Sequence, residues 1–316
     1  MKYNSFDVIT LGYIFNEHIH YPDHKIGPLL GGTVSYSAVC LGRLGNKTGI
    51  VSNIGIDTPD ILIKPFLDAN VDILGLNKRE GISTTKNLLI YDSNGNKNIK
   101  YLTRAPEILF TDIPKPYFNT KVFYLCPVDY EIPVNTIKKI AAYPNNTDKF
   151  IISADLGGFG GAHSSLESRK KYKNNLIEVL KEYMEFIDIA KASEEDCYRL
   201  FNQDAGRPDE FLKRLLNLGA KIVILTLGKK GAIIGTKQKK FYISPVDANV
   251  IDRTGAGDTF TSAFLSEYLN TLDIERSGIF ASSAASLLIE KTGGVSIERL
   301  PTREAVLNRM KKYKKQ

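Results

Sequence analysis

Short apolar runs rich in β-branched and aromatic residues recur along this chain with helical stretches between them, and that alternation constrains its fold most. The runs cover residues 6–11, 49–54, 121–126, 150–154, 186–190 and 222–227, with helical patterns around 39–44, 136–142 and 166–184. Strands joined through helices pair in parallel with right-handed crossovers. The chain has 316 residues and is 43% hydrophobic, enough for one large α/β core. Expected is a single α/β domain over residues 1–316 with a mostly parallel central sheet.

Two segments break the pattern, approximately 13–30 and 71–105. In the second, short β-rich runs at 71–76, 87–91 and 98–102 follow one another through turns, with a hairpin turn at 92–96. Strands joined by tight turns are antiparallel, so a small β-sheet projecting from the main domain is expected.

The most specific stretch is Asp252-Arg253-Thr254-Gly255-Ala256-Gly257-Asp258-Thr259-Phe260. Phe260, Phe264, Leu265, Tyr268 and Leu269 recur after it at helical spacing, so a helix should begin near Gly257. Its free amides and the positive end of its dipole favour an anion, and small residues at 255–257 let that anion approach the backbone. A carboxylate at Asp258 would repel an anion unless it does chemistry there. A simple N-cap is the bland alternative, since Asp caps helices well. The full Gly-Ala-Gly-Asp run, with Asp252 six residues upstream, is more specific than a cap requires.

This nonapeptide resembles the second signature of the ribokinase-like (PfkB) family of carbohydrate kinases. Gly31-Gly32-Thr33-Val34-Ser35-Tyr36 resembles the first signature, with Tyr36 where an Asn is usual. The resemblance covers residues 12–294 and implies a ribokinase-like three-layer sandwich in which the small sheet is a lid over the acceptor. It implies an ATP-dependent kinase that phosphorylates a hydroxyl of a small sugar or polyol. A nucleoside kinase of the same fold, or a sugar-binding regulator without catalysis, are the alternatives.

The site residues follow from the same resemblance. Asp258 would be the general base, held ionised by the helix terminus, and the amides of Gly255, Ala256 and Gly257 the anion hole. Glu17, Gly31, Gly32, Tyr36 and Arg104 would meet the acceptor, Glu17 standing where the family has an Asp gripping two hydroxyls. Thr226-Leu227-Gly228-Lys229-Lys230-Gly231 resembles the family's nucleotide-binding segment, so Thr226, Gly228 and Gly231, with Ser282, would lie along ATP. Ser193-Glu194-Glu195-Asp196 stands where the family has Asn-x-x-Glu, so Asp196, with Glu195 beside it, would reach Mg2+ through water. Asp252 and the Thr254 carbonyl would help hold a monovalent cation such as K+. A homodimer through the lid is a further implication.

Other function classes have little support. The +7 net charge comes with scattered lysines and no groove-reading motif, so nucleic acid is not an expected partner. No apolar run is long enough to span a bilayer and Met1 to Asp7 lacks a signal peptide's apolar core, so no membrane partner and a cytoplasmic protein are expected. Three widely spaced cysteines, Cys40, Cys126 and Cys197, suggest buried thiols rather than disulfides or zinc.

Overall fold

The computed structural model describes residues 5–92, 97–144, 150–203 and 207–313. The first half of the chain runs β1 (Phe6–Leu11), β2 (Phe15–His20), β3 (Lys25–Gly31), α1 (Thr33–Arg43), β4 (Thr48–Gly55), α2 (Asp60–Asp68), β5 (Asp72–Arg79), β6 (Lys86–Tyr91), β7 (Lys97–Thr103), β8 (Thr120–Leu125), α3 (Val134–Ala141) and β9 (Ile151–Asp155). It continues with α4 (Leu166–Tyr172), α5 (Leu176–Met184), β10 (Ile189–Ser193), α6 (Glu194–Leu200), α7 (Pro208–Asn217), β11 (Ile222–Thr226), β12 (Ala232–Gly235), β13 (Lys240–Ile243), α8 (Ala256–Thr271), α9 (Ile274–Ile289) and α10 (Arg303–Met310).

Nine strands form the main sheet in the order β13-β12-β11-β10-β9-β8-β1-β4-β5. From β5 to β11 every pairing is parallel, and only β12 and β13 turn back as antiparallel edge strands. Its strands are apolar on both faces because helices cover both. Successive residues point to opposite sides: Val8, Val122 and Ile224 join the core under α1, α2, α8, α9 and α10, while Ile9, Phe123 and Leu225 join the core under α3, α5, α6 and α7. The result is a three-layer sandwich. Each fully buried Phe or Leu in these cores contributes about 1.5–3 kcal/mol relative to exposure.

A second sheet, in the order β3-β2-β6-β7, stands apart from the first. The chain leaves the main sheet at Leu11, enters the small sheet at Phe15, and returns through Gly31 into α1. The small sheet is therefore hinged directly onto the helix that opens beside it.

Several sequence expectations need correction. The run at 71–76 belongs to β5, which pairs parallel with β4 in the main sheet, so the second lid segment starts at Lys86. The helix α2 makes that crossover; Pro65 inside it hid the helix from the sequence pattern. The small sheet is mixed rather than antiparallel, since β2 and β6 run parallel. The single helix expected over 166–184 is two, α4 and α5, with Asn175 preceding the second. Of the expected hairpin turn at 92–96, residues 93–96 lie outside the described residues.

Candidate active site

The helix α8 begins where its glycines permit. Gly255 adopts φ 78°, the left-handed region that disfavours a side chain, and a Cβ there would fall 2.4 Å from the Tyr36 ring. Among the described residues, nothing hydrogen-bonds the N–H groups of Gly255 and Gly257. Ala256 differs from the expectation: its amide donates to the Arg253 carbonyl at 3.1 Å, so it closes the turn. Within 255–257 the open donors are therefore the two glycine amides, at the positive end of a 16-residue helix.

Asp258 lies in the first turn of α8, not at its cap, and is buried. The Thr33 hydroxyl, from the first turn of α1, faces its carboxylate and favours the ionised form. Burial above all, then the neighbouring Asp155 carboxylate, push its pKa up to about 6, against the opposing pull of His163 and Lys191. Desolvation thus outweighs the helix terminus that was expected to keep it an ordinary acid. At neutral pH it remains mostly ionised, and its affinity for a proton suits a general base.

Sequence reasoning missed Lys191. The residue is 4% exposed, and its ammonium lies 2.8 Å from Asp155 and 4.0 Å from Asp196 and would come within 3.3 Å of a Cβ on Gly257. Burial would strip its proton, but Asp155, Asp196 and Asp258 together hold the pKa well above the ordinary lysine range. A signal existed. Lysine is almost never fully buried unless paired, yet Lys191 interrupts the apolar run of β10.

Asp196 and Ser193 form the capping box that opens α6. Asp196 accepts from the Ser193 amide at 2.6 Å, the Ser193 hydroxyl at 2.7 Å and the Ala162 amide at 2.8 Å. Burial works to raise its pKa, and Lys191, His163 and the backbone donors overcome it, so the carboxyl stays below its ordinary value. Glu195 is turned away, with an exposed side chain bonded to Arg199 at 2.8 Å. Among the described residues, no group of three or more His, Cys, Asp or Glu side chains is arranged to hold a metal.

On the lid, Glu17 on β2 accepts from the Asn87 amide at 2.9 Å and lies against Gly31, where a Cβ would come within 3.3 Å of it. Gly32 precedes α1 at φ 94°, with no room for a side chain beneath the Tyr13 carbonyl. Gly31, Gly32 and Thr33 therefore link the Glu17 carboxylate to the Asp258 carboxylate within three consecutive residues. Phe15 shares a strand face with Glu17 and packs edge-on to Tyr101 at 6.0 Å, in a small cluster with Tyr13, Ala105 and Val128. Arg104 pairs with the buried Asp129 and covers the Tyr101 ring at 4.8 Å.

Three further residues have partners that redefine them. Tyr36 is buried, and its hydroxyl accepts from Arg299 at 2.7 Å rather than reaching the acceptor side. Arg299 also takes up the Asp252 carboxylate and the Asp252 and Thr254 carbonyls. Ser282 donates to the Ser244 carbonyl at 2.9 Å, tying α9 to the segment after β13. Thr226 ends β11, and Gly228 and Gly231 turn the chain at φ 58° and 89°. An added Cβ on Gly228 would meet nothing, so that backbone is open to a ligand.

The family model described as pfkB family carbohydrate kinase matches residues 10–303. A nucleoside kinase of Methanocaldococcus jannaschii is 29% identical over 96% of this chain and 95% of its own length. Its crystal structure superposes with a TM-score of 0.76 and 26% identity, covering 98% of this chain and all of that one. An ATP-dependent 6-phosphofructokinase of Thermoanaerobacterium thermosaccharolyticum is 28% identical over 86% of this chain and 84% of its own. Arabidopsis thaliana ribokinase, solved with ribose and ATP, shares the fold at a TM-score of 0.79 and 23% identity, with 98% of this chain and 99% of that one covered. With the signature run at the head of α8 and the matched sheet and lid, the chain belongs to the pfkB family of carbohydrate kinases and is a sugar or nucleoside kinase of ribokinase fold.

Proposed function

We propose that the protein transfers the γ-phosphoryl group of ATP to a hydroxyl of a small polyhydroxylated acceptor, with Asp258 as general base. The observation that carries this is the placement of a buried carboxylate of pKa about 6 one residue beyond two open glycine amides and beside a buried lysine. Phosphoryl transfer needs positioning and stabilisation of charge on the transferred oxygens more than covalent chemistry. The Gly255 and Gly257 amides, the α8 dipole and the Lys191 ammonium supply that stabilisation without reorganising. Asp258 accepts the proton of the attacking hydroxyl, and burial excludes the water that would compete for it.

The turn from Thr226 to Gly231 offers open backbone at the carboxyl end of β11, where ligands of α/β sheets bind. Mg2+ carried with the nucleotide would neutralise phosphate charge, keeping most of its waters. Asp196 fits that demand: with three donors on its two oxygens it retains acceptor capacity for one such water. Glu195 does not. For the acceptor, Glu17 can accept from vicinal hydroxyls, with Gly31 leaving the space beside it.

A nucleoside is the second reading, favoured by the aromatic edge that Phe15 and Tyr101 give the lid beside Glu17. A planar base can stack on such rings. ADP formation across a panel of sugars, polyols and nucleosides tests both. Turnover with nucleosides alone selects the second reading. Ligand-induced stabilisation without turnover on any acceptor would make the protein a binding module and overturn the kinase assignment.

A further inference from the structure

Arg299 is among the largest fully buried side chains of the protein, at 2% exposure, and lies outside the segments that the sequence pattern singles out. Its guanidinium sits among oxygens from three separate parts of the chain. Nη2 donates to the Thr254 carbonyl at 2.9 Å and to the Asp252 carbonyl at 3.3 Å, and pairs with the Asp252 carboxylate 3.0 Å away. Nη1 donates to the Tyr36 hydroxyl at 2.7 Å and to the Gly293 carbonyl. The same Asp252 carboxylate accepts from the Thr254 amide at 2.9 Å, so one cation organises both ends of the turn leading to Gly255. The loop is held from below as well, because the Ile251 and Asp252 amides both donate to the Ile289 carbonyl at the end of α9.

Asp252 and the Thr254 carbonyl are the oxygens expected to hold a monovalent cation behind the anion hole. They do not fit that ion here, because a covalently attached cation already engages them. We infer that Arg299 is the built-in monovalent cation of this kinase, fixing the 252–257 loop so that the Gly255 and Gly257 amides face the phosphoryl group with no added K+. A guanidinium never loses its charge at accessible pH and presents its donors in a rigid plane, so it can replace a freely exchanging ion permanently. Its own burial is offset by the carboxylate and the ring of carbonyl oxygens around it. Tyr36 adds to the arrangement: its ring fills the space that a side chain at 255 would need, and its hydroxyl accepts from Nη1, while Nε has no hydrogen-bond partner among the described residues. Arg299 is a positioning residue; it acts on the phosphoryl group only through the loop.

The inference rests on the kinase reading for its rate consequences, so the experiment reads stability and turnover separately. Wild type, Arg299→Ala and Arg299→Lys are compared in tetramethylammonium chloride, which is too large for the site, and in KCl or guanidinium chloride at matched low ionic strength. Expected is a wild-type melting temperature and kcat that do not distinguish K+ from tetramethylammonium. Arg299→Ala should melt lower and lose about tenfold to a hundredfold in kcat with little change in acceptor KM, because a misplaced anion hole costs transition-state rather than ground-state binding. K+ or guanidinium should restore part of both, and Arg299→Lys should keep more activity without either ion. A wild-type protein stabilised or activated several-fold by K+ would overturn the inference, as would an Arg299→Ala loss that neither ion repairs. If Arg299→Ala does not fold, the cation response of wild type and Arg299→Lys decides. If no acceptor is phosphorylated the kinase reading fails, while the melting temperatures still decide the role of Arg299.

Discussion

Lys191 and Asp155 face each other as register partners across β10 and β9, their charges 2.8 Å apart and both side chains buried at the carboxyl end of the sheet. The pair stands beneath the first turn of α8, so its charge is part of the field that Asp258 and any phosphoryl group experience.

Removing the cation should expose how much the cluster depends on it. Lys191→Met leaves Asp155 as a buried carboxylate without its ion pair, with Asp196 and Asp258 nearby, and breaking such a pair costs about 3–5 kcal/mol. Chemical denaturation should register that loss. The variant's kcat/KM should also need a higher pH than wild type, because Asp258 loses a neighbour that favours its ionised form. An unchanged pH profile would remove Lys191 from the site.

The wild-type pH profile follows from Asp258 itself. A base works only when ionised, and burial with Asp155 has raised its pKa to about 6. Activity as kcat/KM should therefore fall on the acid side through about pH 6. An acid limb near pH 4, the range of an exposed aspartate, would show that the catalytic base is another group.

Part of this candidate site is legible in the sequence, and the parts that are not share a cause. Gly255 to Asp258 is a contiguous pattern tied to one helix start, and Glu17 with Gly31 belongs to segments flanking one glycine pair, so local spacing carries both. Lys191 and Asp155 meet only because β9 and β10 are neighbours in the sheet. Arg299 and Tyr36 are 263 residues apart, and no local pattern foretells their bond. The boundary of the lid went wrong at 71–76 because Pro65 disguised α2, and without that helix β5 reads as a hairpin strand.

Asp258 should also make the folded protein less stable as pH rises. Its folded pKa is above that of an unfolded aspartate, so the folded state binds the proton more tightly. That contribution is complete below about pH 4 and is lost as pH rises through about 6. At neutral pH Asp258→Asn should therefore be more stable than wild type by about 1–3 kcal/mol, and at pH 4 the gain should vanish. Thermal unfolding at the two pH values checks the sign.

Glu17→Gln keeps the size of the side chain and its contact with Gly31 but removes the charge that accepts acceptor hydroxyls. A charged hydrogen bond is worth about 1.5–3 kcal/mol, so acceptor KM should rise roughly tenfold to a hundredfold. The KM for ATP should stay near its wild-type value. Equal loss for both substrates would move Glu17 out of the acceptor pocket.

The central claim is that Asp258 takes the proton of the attacking hydroxyl, and the most direct measurement is kcat for Asp258→Asn with the best acceptor of the panel, alongside acceptor binding by calorimetry. The account predicts a fall in kcat of about a hundredfold to ten-thousandfold, with the acceptor still bound. Turnover at the wild-type rate would contradict it.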